Sequence, residues 1–216
     1  MAEPRSNDSL IAALSAELVP VRRLLPPWRR TLGWLALVVA IAMLLFAHYG
    51  DQPMLRRWAG APDLAWAALG AVLTAVTAAW AAFTLAVPGR SRAWAWLPLP
   101  PALLWIGASG LGCLRTWLAP GTSIATLHQS ADCFVFIVAF SIPLSALLVW
   151  LVRRACPLRP LLTAMLVGLA SAAASASLLE ICHAYDAAAT DLFTHALAVG
   201  VVVAANAAMG GRLLSR

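Results

Sequence analysis

The sequence is poor in charge and contains no lysine. Charged residues make up 11% of its 216 positions, all fifteen basic residues are arginine, and 62% of the residues are apolar. The mean hydropathy is +0.83. Soluble globular domains carry about 25% charged residues. This composition therefore excludes a separate soluble domain and predicts one polytopic membrane domain.

Several motifs of catalysis and transport are missing as well. The chain has no Cys-x-x-Cys pair, no His-x-x-x-His pair and no phosphate-binding glycine loop. A membrane thiol oxidoreductase would need the first of these. A permease would need polar or ionisable side chains in mid-membrane, where Asn206 is the one amide. We therefore expect no enzyme, and a small metal or solute permease or a structural membrane protein is only the alternative function.

Long apolar runs are what the sequence does contain. Six of them can be marked, at residues 31–48, 65–87, 94–112, 133–152, 161–180 and 192–209. A helix of about 20 residues spans roughly 30 Å, which is one hydrocarbon thickness. Because lipid offers no hydrogen bonds to the backbone, each run must be a helix. The predicted fold is an all-α membrane protein with six transmembrane helices in residues 31–210.

The arginines predict how this domain is oriented. An even number of spans places residues 1–30, the tail 211–216 and the turns after the second and fourth spans on one face, together with twelve of the fifteen arginines. The positive-inside rule then predicts that both termini are cytoplasmic. Because the arginines flank helices and no nucleic-acid-reading module accompanies them, we expect no nucleic-acid partner.

The segment 1–30 is the only stretch long enough to act in the cytoplasm. Four apolar residues in it recur at helical spacing: Leu10, Leu14, Leu18 and Val21. They predict a short amphipathic helix. Such a helix either lies on anionic membrane lipid, where each Arg contributes about 1 kcal/mol, or docks into a groove of a protein partner. The pattern leaves both interpretations open.

Two cysteines frame the fourth and fifth spans. Cys133 begins the fourth span and Cys182 follows the fifth, so a chain that crosses the membrane and returns places both thiols at the same depth on the outer side. Three interpretations remain open: a structural disulfide, two small packed side chains, or a pair that responds to a signal.

Other soft ligands lie near the two cysteines in the sequence. His128 and Asp132 precede Cys133, whereas His183 and Asp186 follow Cys182. Thiolate and imidazole bind ions of the Zn²⁺ or Cd²⁺ class. These four residues are therefore candidate ligands for a metal ion that binds transiently as a signal, and we expect no resident cofactor.

Small residues indicate where helices approach closely. They recur every fourth position in three spans, at Ala67, Ala71, Ala75 and Ala79, at Ala164, Gly168, Ala172 and Ala176, and at Gly200, Ala204 and Ala208. We expect the last three spans to pack tightly around the thiols, with Asn206 in an interhelical hydrogen bond. Most of the ten tryptophans, Trp34 among them, are expected to lie in interfacial belts.

Several short segments resemble one known family. They are residues 10–14 (LIAAL), 20–27 (PVRRLLPP), 141–144 (SIPL), 153–160 (RRACPLRP) and 210–214 (GGRLL), together with Cys182. In these segments the chain resembles the NrsF-type membrane anti-sigma factors, six-helix negative regulators of an extracytoplasmic-function sigma factor. The resemblance spans nearly the whole chain.

The resemblance implies a function for the segments described above. It implies that Cys133 and Cys182 are signal-sensing residues and that residues 1–30 bind the sigma factor. The protein would then hold the sigma factor at the bacterial inner membrane and release it when the cysteines sense heavy metal or oxidation.

Overall fold

The computed structural model describes residues 7–18, 24–50, 55, 62–118, 127–182 and 189–214. Within those residues it is built from helices and turns, without a strand. The α-helices are α1 (Asn7–Ala16), α2 (Pro27–Tyr49), α3 (Pro62–Leu85), α4 (Leu99–Leu118), α5 (Leu127–Arg153), α6 (Pro160–Cys182) and α7 (Ala189–Leu214). A short 3₁₀ helix, Arg92–Trp96, precedes α4.

Six of these segments are long and apolar enough to cross a membrane, which confirms the six predicted spans. Most helices run past the apolar stretch, because the backbone hydrogen bonds continue into the polar flanks. The third span starts irregularly, because Pro98, Pro100 and Pro101 near its beginning have no N–H for helical hydrogen bonds. The 3₁₀ turn ends at Trp96, and α4 then begins with Leu99 ahead of Pro100 and Pro101.

Contacts between distant segments define two ends of the bundle. We call the end where α2 begins the terminal end, and the end where α5 begins the cysteine end. At the terminal end, Arg159 in the turn after α5 donates to the carbonyl of Arg90 in the turn after α3, at 3.3 Å. At the cysteine end, Arg115 and Asp63 form a salt bridge at 2.8 Å between α4 and α3. The spans therefore alternate in direction.

The central helix of the bundle is α6, which packs against α2, α3, α5 and α7. Most of its residues are buried, and most of those are alanine, serine or glycine. Small side chains on all sides allow several neighbours to approach one helix at once. The predicted small-residue rows on α3 and α6 are confirmed, since every member is buried.

The predicted row on α7 is wrong. Gly200, Ala204 and Ala208 are exposed, and a Cβ added at Gly200 would meet nothing within 4 Å. The buried row is instead Ala198, Val202, Asn206 and Gly210. The reason is that alanine and glycine are tolerated on a lipid-facing surface as well as in a helix contact. Small size alone therefore does not identify the packed face.

Buried polar side chains join the last three spans. The Asn206 amide donates to Ser145 Oγ at 3.2 Å and to its own-helix Val202 carbonyl at 2.9 Å, so the predicted interhelical hydrogen bond is confirmed. Ser141 Oγ of α5 lies 3.1 Å from Ser175 Oγ of α6. These bonds fix how α5 is aligned against α6 and α7.

Trp34 is not a belt residue. Its side chain is fully buried, and its indole Nε1 donates to the carbonyl of Leu144 on α5 at 3.3 Å. Its position about two turns inside α2, where the helix packs against the core, explains the burial. Other tryptophans, such as Trp28, Trp66 and Trp96, are exposed as an interfacial belt requires.

Candidate functional site

The first candidate site is α1, the helix that precedes the bundle. Each of its residues is exposed, including three large apolar side chains, Leu10, Ile11 and Leu14, which are 45%, 62% and 59% exposed. In a folded protein, a helix with an apolar face normally buries that face against the core. This helix leaves its leucines available to something outside the described chain.

The predicted leucine row is longer than the helix that carries it. The helix ends at Ala16, so Leu18, which is 78% exposed, lies beyond it and does not continue the helical face. The backbone turns there, with the N–H of Leu18 donating to the Ser15 carbonyl at 3.3 Å. Val21 lies outside the described residues.

The second candidate site is at the cysteine end, where Cys133 is buried. It belongs to a cluster with Ile137 of α5, Ala176 and Leu179 of α6, and Ala198 of α7. The side chain is only 5% exposed. The last three spans therefore meet at this thiol, as expected.

Cys182 lies at the same end and is half-buried. Ser141 of α5 lies beside Ser175 of the antiparallel helix α6. Cys133 is eight residues before Ser141, and because both helices have the same rise per residue, it lies level with position 183, eight residues after Ser175. Leu179, which packs with Cys133, lies one turn before Cys182 on α6, and residues three apart share a helix face. The two thiols therefore lie at the same level of the bundle.

The candidate metal ligands fall into two groups. His128 and Asp132 lie in the first turns of α5 and are exposed. His183 and Asp186 lie outside the described residues. Among the side chains that are described, no group of three or more His, Cys, Asp and Glu residues is arranged to hold a metal ion.

The remaining cysteines occupy different environments. All four cysteines are thiols in the structure, with Cys113 buried on α4 and Cys156 exposed in the turn after α5. Cys156 adopts a left-handed backbone conformation with φ of 49°. It lies at the terminal end, far from Cys133 and Cys182.

One residue at the terminal end was not singled out by the sequence pattern. Arg30, in the first turn of α2, is only 8% exposed, and its guanidinium donates to the carbonyl of Leu151 near the end of α5. Its Cζ also lies 4.5 Å from the centre of the Phe83 ring of α3. In the sequence it resembles any arginine that flanks a span, and no local signal distinguishes it.

Comparison with known proteins identifies the family. A family model described as NrsF, negative regulator of sigma F, matches residues 14–215. The match includes all six spans, Cys133, Cys182 and Leu14, and it leaves Leu10 outside. Searches of curated proteins and of solved structures return no match. Because the family model covers nearly the whole chain, this protein belongs to the NrsF family of negative regulators of a sigma factor.

Proposed function

We propose that the protein is a membrane anti-sigma factor that holds an extracytoplasmic-function sigma factor at the cytoplasmic face of the bacterial inner membrane. In this proposal the terminal end faces the cytoplasm, as the distribution of arginines favours. The cysteine end faces outward and detects a thiophilic metal ion or an oxidant. Detection then releases the sigma factor.

The observation that carries the proposal is the exposure of α1. Leu10 and Leu14 lie four residues apart on one helical face, and both are exposed. Residues at that spacing form the anchors of helices that dock into an apolar groove. Only ten residues of chain separate α1 from α2, so a partner bound to α1 would be held close to the membrane.

Two thiols at one level supply a means of detection. Joining them, either through a disulfide or through a shared metal ion, requires Cys133 to leave its apolar cluster and approach Cys182. A disulfide needs Cα atoms about 4.4–6.8 Å apart, and a metal bridge spans more. Either bond would draw α5 and α6 together at the cysteine end and alter their packing against α7.

The energy available is sufficient for a switch. Moving a two-state equilibrium from 1:99 to 99:1 requires about 5.5 kcal/mol of differential binding. Complete structural zinc sites in peptides supply about 10–16 kcal/mol, so a site that delivers about half of this energy would meet the requirement. Tightly packed helices favour discrete shifts over gradual deformation.

The binding step is tested by co-purification. Full-length protein with a C-terminal affinity tag is isolated from membranes of its host, and the recovered sigma factor is identified by mass spectrometry and quantified. We expect recovery to be lost when residues 1–25 are deleted and to fall about tenfold in the Leu14→Ser variant, because about 1.4 kcal/mol of apolar contact is removed.

A matched control separates docking from general apolarity. Leu158 is 73% exposed in the turn after α5, at the same end of the bundle. The Leu158→Ser variant should retain the sigma factor fully. Equal losses for Leu14→Ser and Leu158→Ser, or full retention after the deletion, would show that α1 does not dock the partner. In that case α1 serves the membrane surface, which vesicle binding of a synthetic 1–25 peptide would reveal.

The sensing step is tested with Cd²⁺ as the probe and sigma-dependent transcription as the readout. The double variant Cys133→Ser, Cys182→Ser should retain the sigma factor and lose the response to Cd²⁺. Cys156→Ser, which removes a thiol at the other end, should respond normally. A response that survives the double substitution would assign sensing to other residues.

A further inference from the structure

We propose that Arg30 is the positioning residue that couples α5, the helix that carries Cys133, to the sigma-binding segment. The proposal rests on the proposed function and extends it to the step between detection and release. It concerns a set of contacts that we call the Arg30 clamp: the Arg30 guanidinium, the Leu151 carbonyl and the Phe83 ring.

The clamp joins three helices at the terminal end. Arg30 Nη2 of α2 donates to the Leu151 carbonyl of α5, and the guanidinium carbon lies 4.5 Å from the ring centre of Phe83 on α3. The side chain is 8% exposed. An arginine that merely flanks a span keeps its charged group in the polar headgroup region. Arg30 instead points inward.

The Leu151 carbonyl is available because α5 tightens as it ends. The last carbonyls of a helix have no partner in the next turn. Here the N–H of Ala155 donates to Val152 at 2.9 Å, and that of Cys156 donates to Arg153 at 3.2 Å. Because the Ala155 N–H donates to the residue three positions before it, it does not donate to the Leu151 carbonyl four positions before it. The Arg30 guanidinium donates to that carbonyl instead. A cation at this position is also favoured by the dipole of α5.

The clamp is incomplete, and an incomplete contact is suited to switching. The other terminal nitrogen of Arg30, Nη1, is buried without a hydrogen-bond partner among the described residues. None of the described carboxylates forms an ion pair with Arg30. A buried charge held by one carbonyl and one ring is expensive to keep. A small movement of α5 therefore suffices to release it.

The position of Arg30 in the chain gives the release a consequence. It lies three residues after Pro27, which begins α2, and the exposed helix α1 of the sigma-binding segment precedes that proline. The same helix α5 carries Cys133 at its other end. A displacement of α5 that begins at the thiols would withdraw the Leu151 carbonyl and free the start of α2, to which the sigma-binding segment is joined.

A second contact supports the coupling. One turn along α2, the Trp34 indole donates to the Leu144 carbonyl, again on α5. The part of α5 near the terminal end is thus held by α2 at two carbonyls, those of Leu144 and Leu151. A displacement of α5 along its length would disturb both contacts.

The test uses full-length variants in membranes, with sigma-dependent transcription measured before and after Cd²⁺. We expect Arg30→Gln to raise uninduced transcription about tenfold, the factor that corresponds to losing a hydrogen bond from a charged donor. The added effect of Cd²⁺ should then be small. Arg30→Lys, which keeps the charge and a donor, should restore most of the repression. The amount of each variant in the membrane is measured in parallel.

Arg212 offers a matched control. It is an exposed arginine in the last turn of α7, at the same end of the bundle, and it lies outside the segment 1–30. Arg212→Gln should repress and respond as the wild type does. If Arg30→Gln accumulates normally and also behaves as the wild type, or if both arginine variants derepress equally, the coupling role is wrong.

Two further variants cover the remaining outcomes. If Arg30→Gln does not accumulate in the membrane, Phe83→Leu provides the test. Loss of the aromatic face should raise uninduced transcription about threefold. An unchanged level of transcription refutes the proposal. Leu14→Ser is run alongside. If it fails to derepress, the proposed function itself fails, whereas derepression by Leu14→Ser together with normal repression by Arg30→Gln refutes only the coupling.

Discussion

Replacing Gly168 by alanine should weaken the contact between α6 and α7. A Cβ at this position would lie 2.8 Å from the Val203 Cα and 3.1 Å from both the Asn206 Cβ and the Val202 carbonyl oxygen. Two of these atoms belong to the backbone of α7 and cannot rotate away. The two helices must therefore separate by several tenths of an ångström, which stretches the contacts on both sides.

The magnitude follows from comparing two glycines. Overpacking a well-packed site costs about 1–3 kcal/mol. Gly200 of α7 faces open space, and alanine there gains about 0.5–1 kcal/mol because glycine is the poorer helix former. The same gain in helix propensity applies at Gly168 and cancels in the comparison, so the two free energies of unfolding should differ by roughly 1–3 kcal/mol.

The assay is reversible unfolding of the full-length protein in detergent micelles by titration with dodecyl sulfate, followed by circular dichroism. Gly168→Ala should unfold at a lower denaturant fraction than the wild type, and Gly200→Ala at an equal or higher one. If the two variants unfold at the same fraction, α6 and α7 are not in the close contact described, and the assignment of the buried face of α7 is wrong.

Two further predictions concern polar and thiol groups. Asn206→Leu and Ser145→Ala should each lower the free energy of unfolding by about 0.6–1.7 kcal/mol in the same assay. The double variant should lower it by less than the sum, because both substitutions remove the same hydrogen bond. Full additivity would contradict this. A membrane-impermeant maleimide added to intact cells should label Cys182 faster than Cys133, because the first thiol is half-buried and the second is enclosed by apolar side chains; equal labelling rates, or none at either site, would contradict the packing or the proposed orientation.

The six spans were predictable because each is an apolar run long enough to cross lipid, and lipid admits no other backbone arrangement. The row through Gly168 was predictable as well, since most residues of α6 are buried and most of those are small. The exposure of the row through Gly200 was not predictable, because a small residue that faces lipid cannot be distinguished in the sequence from one that faces a helix.

The candidate site was only partly predictable. The hairpin geometry requires that Cys133 and Cys182 share a level, and the alignment of Ser141 with Ser175 agrees with it. The burial of Cys133 depends on α7, which a single helix pattern does not place. The burial of Arg30 could not be predicted, because it depends on a hydrogen bond to a carbonyl 121 positions away in the sequence.

The composition of α6 has a consequence for how the protein is made. Residues 170–177 are all alanine or serine, and the mean hydropathy of α6 is 1.8, against 2.6 for α5. Strongly apolar side chains drive a helix out of the translocation channel into lipid at about 0.3–0.6 kcal/mol each, and this stretch supplies none. The helix that the finished bundle is packed around is thus less strongly driven into the bilayer than α5 is. We expect α6 to insert together with α5 as a helical hairpin. A substitution that slows the insertion of α5 should then leave α6 outside the membrane.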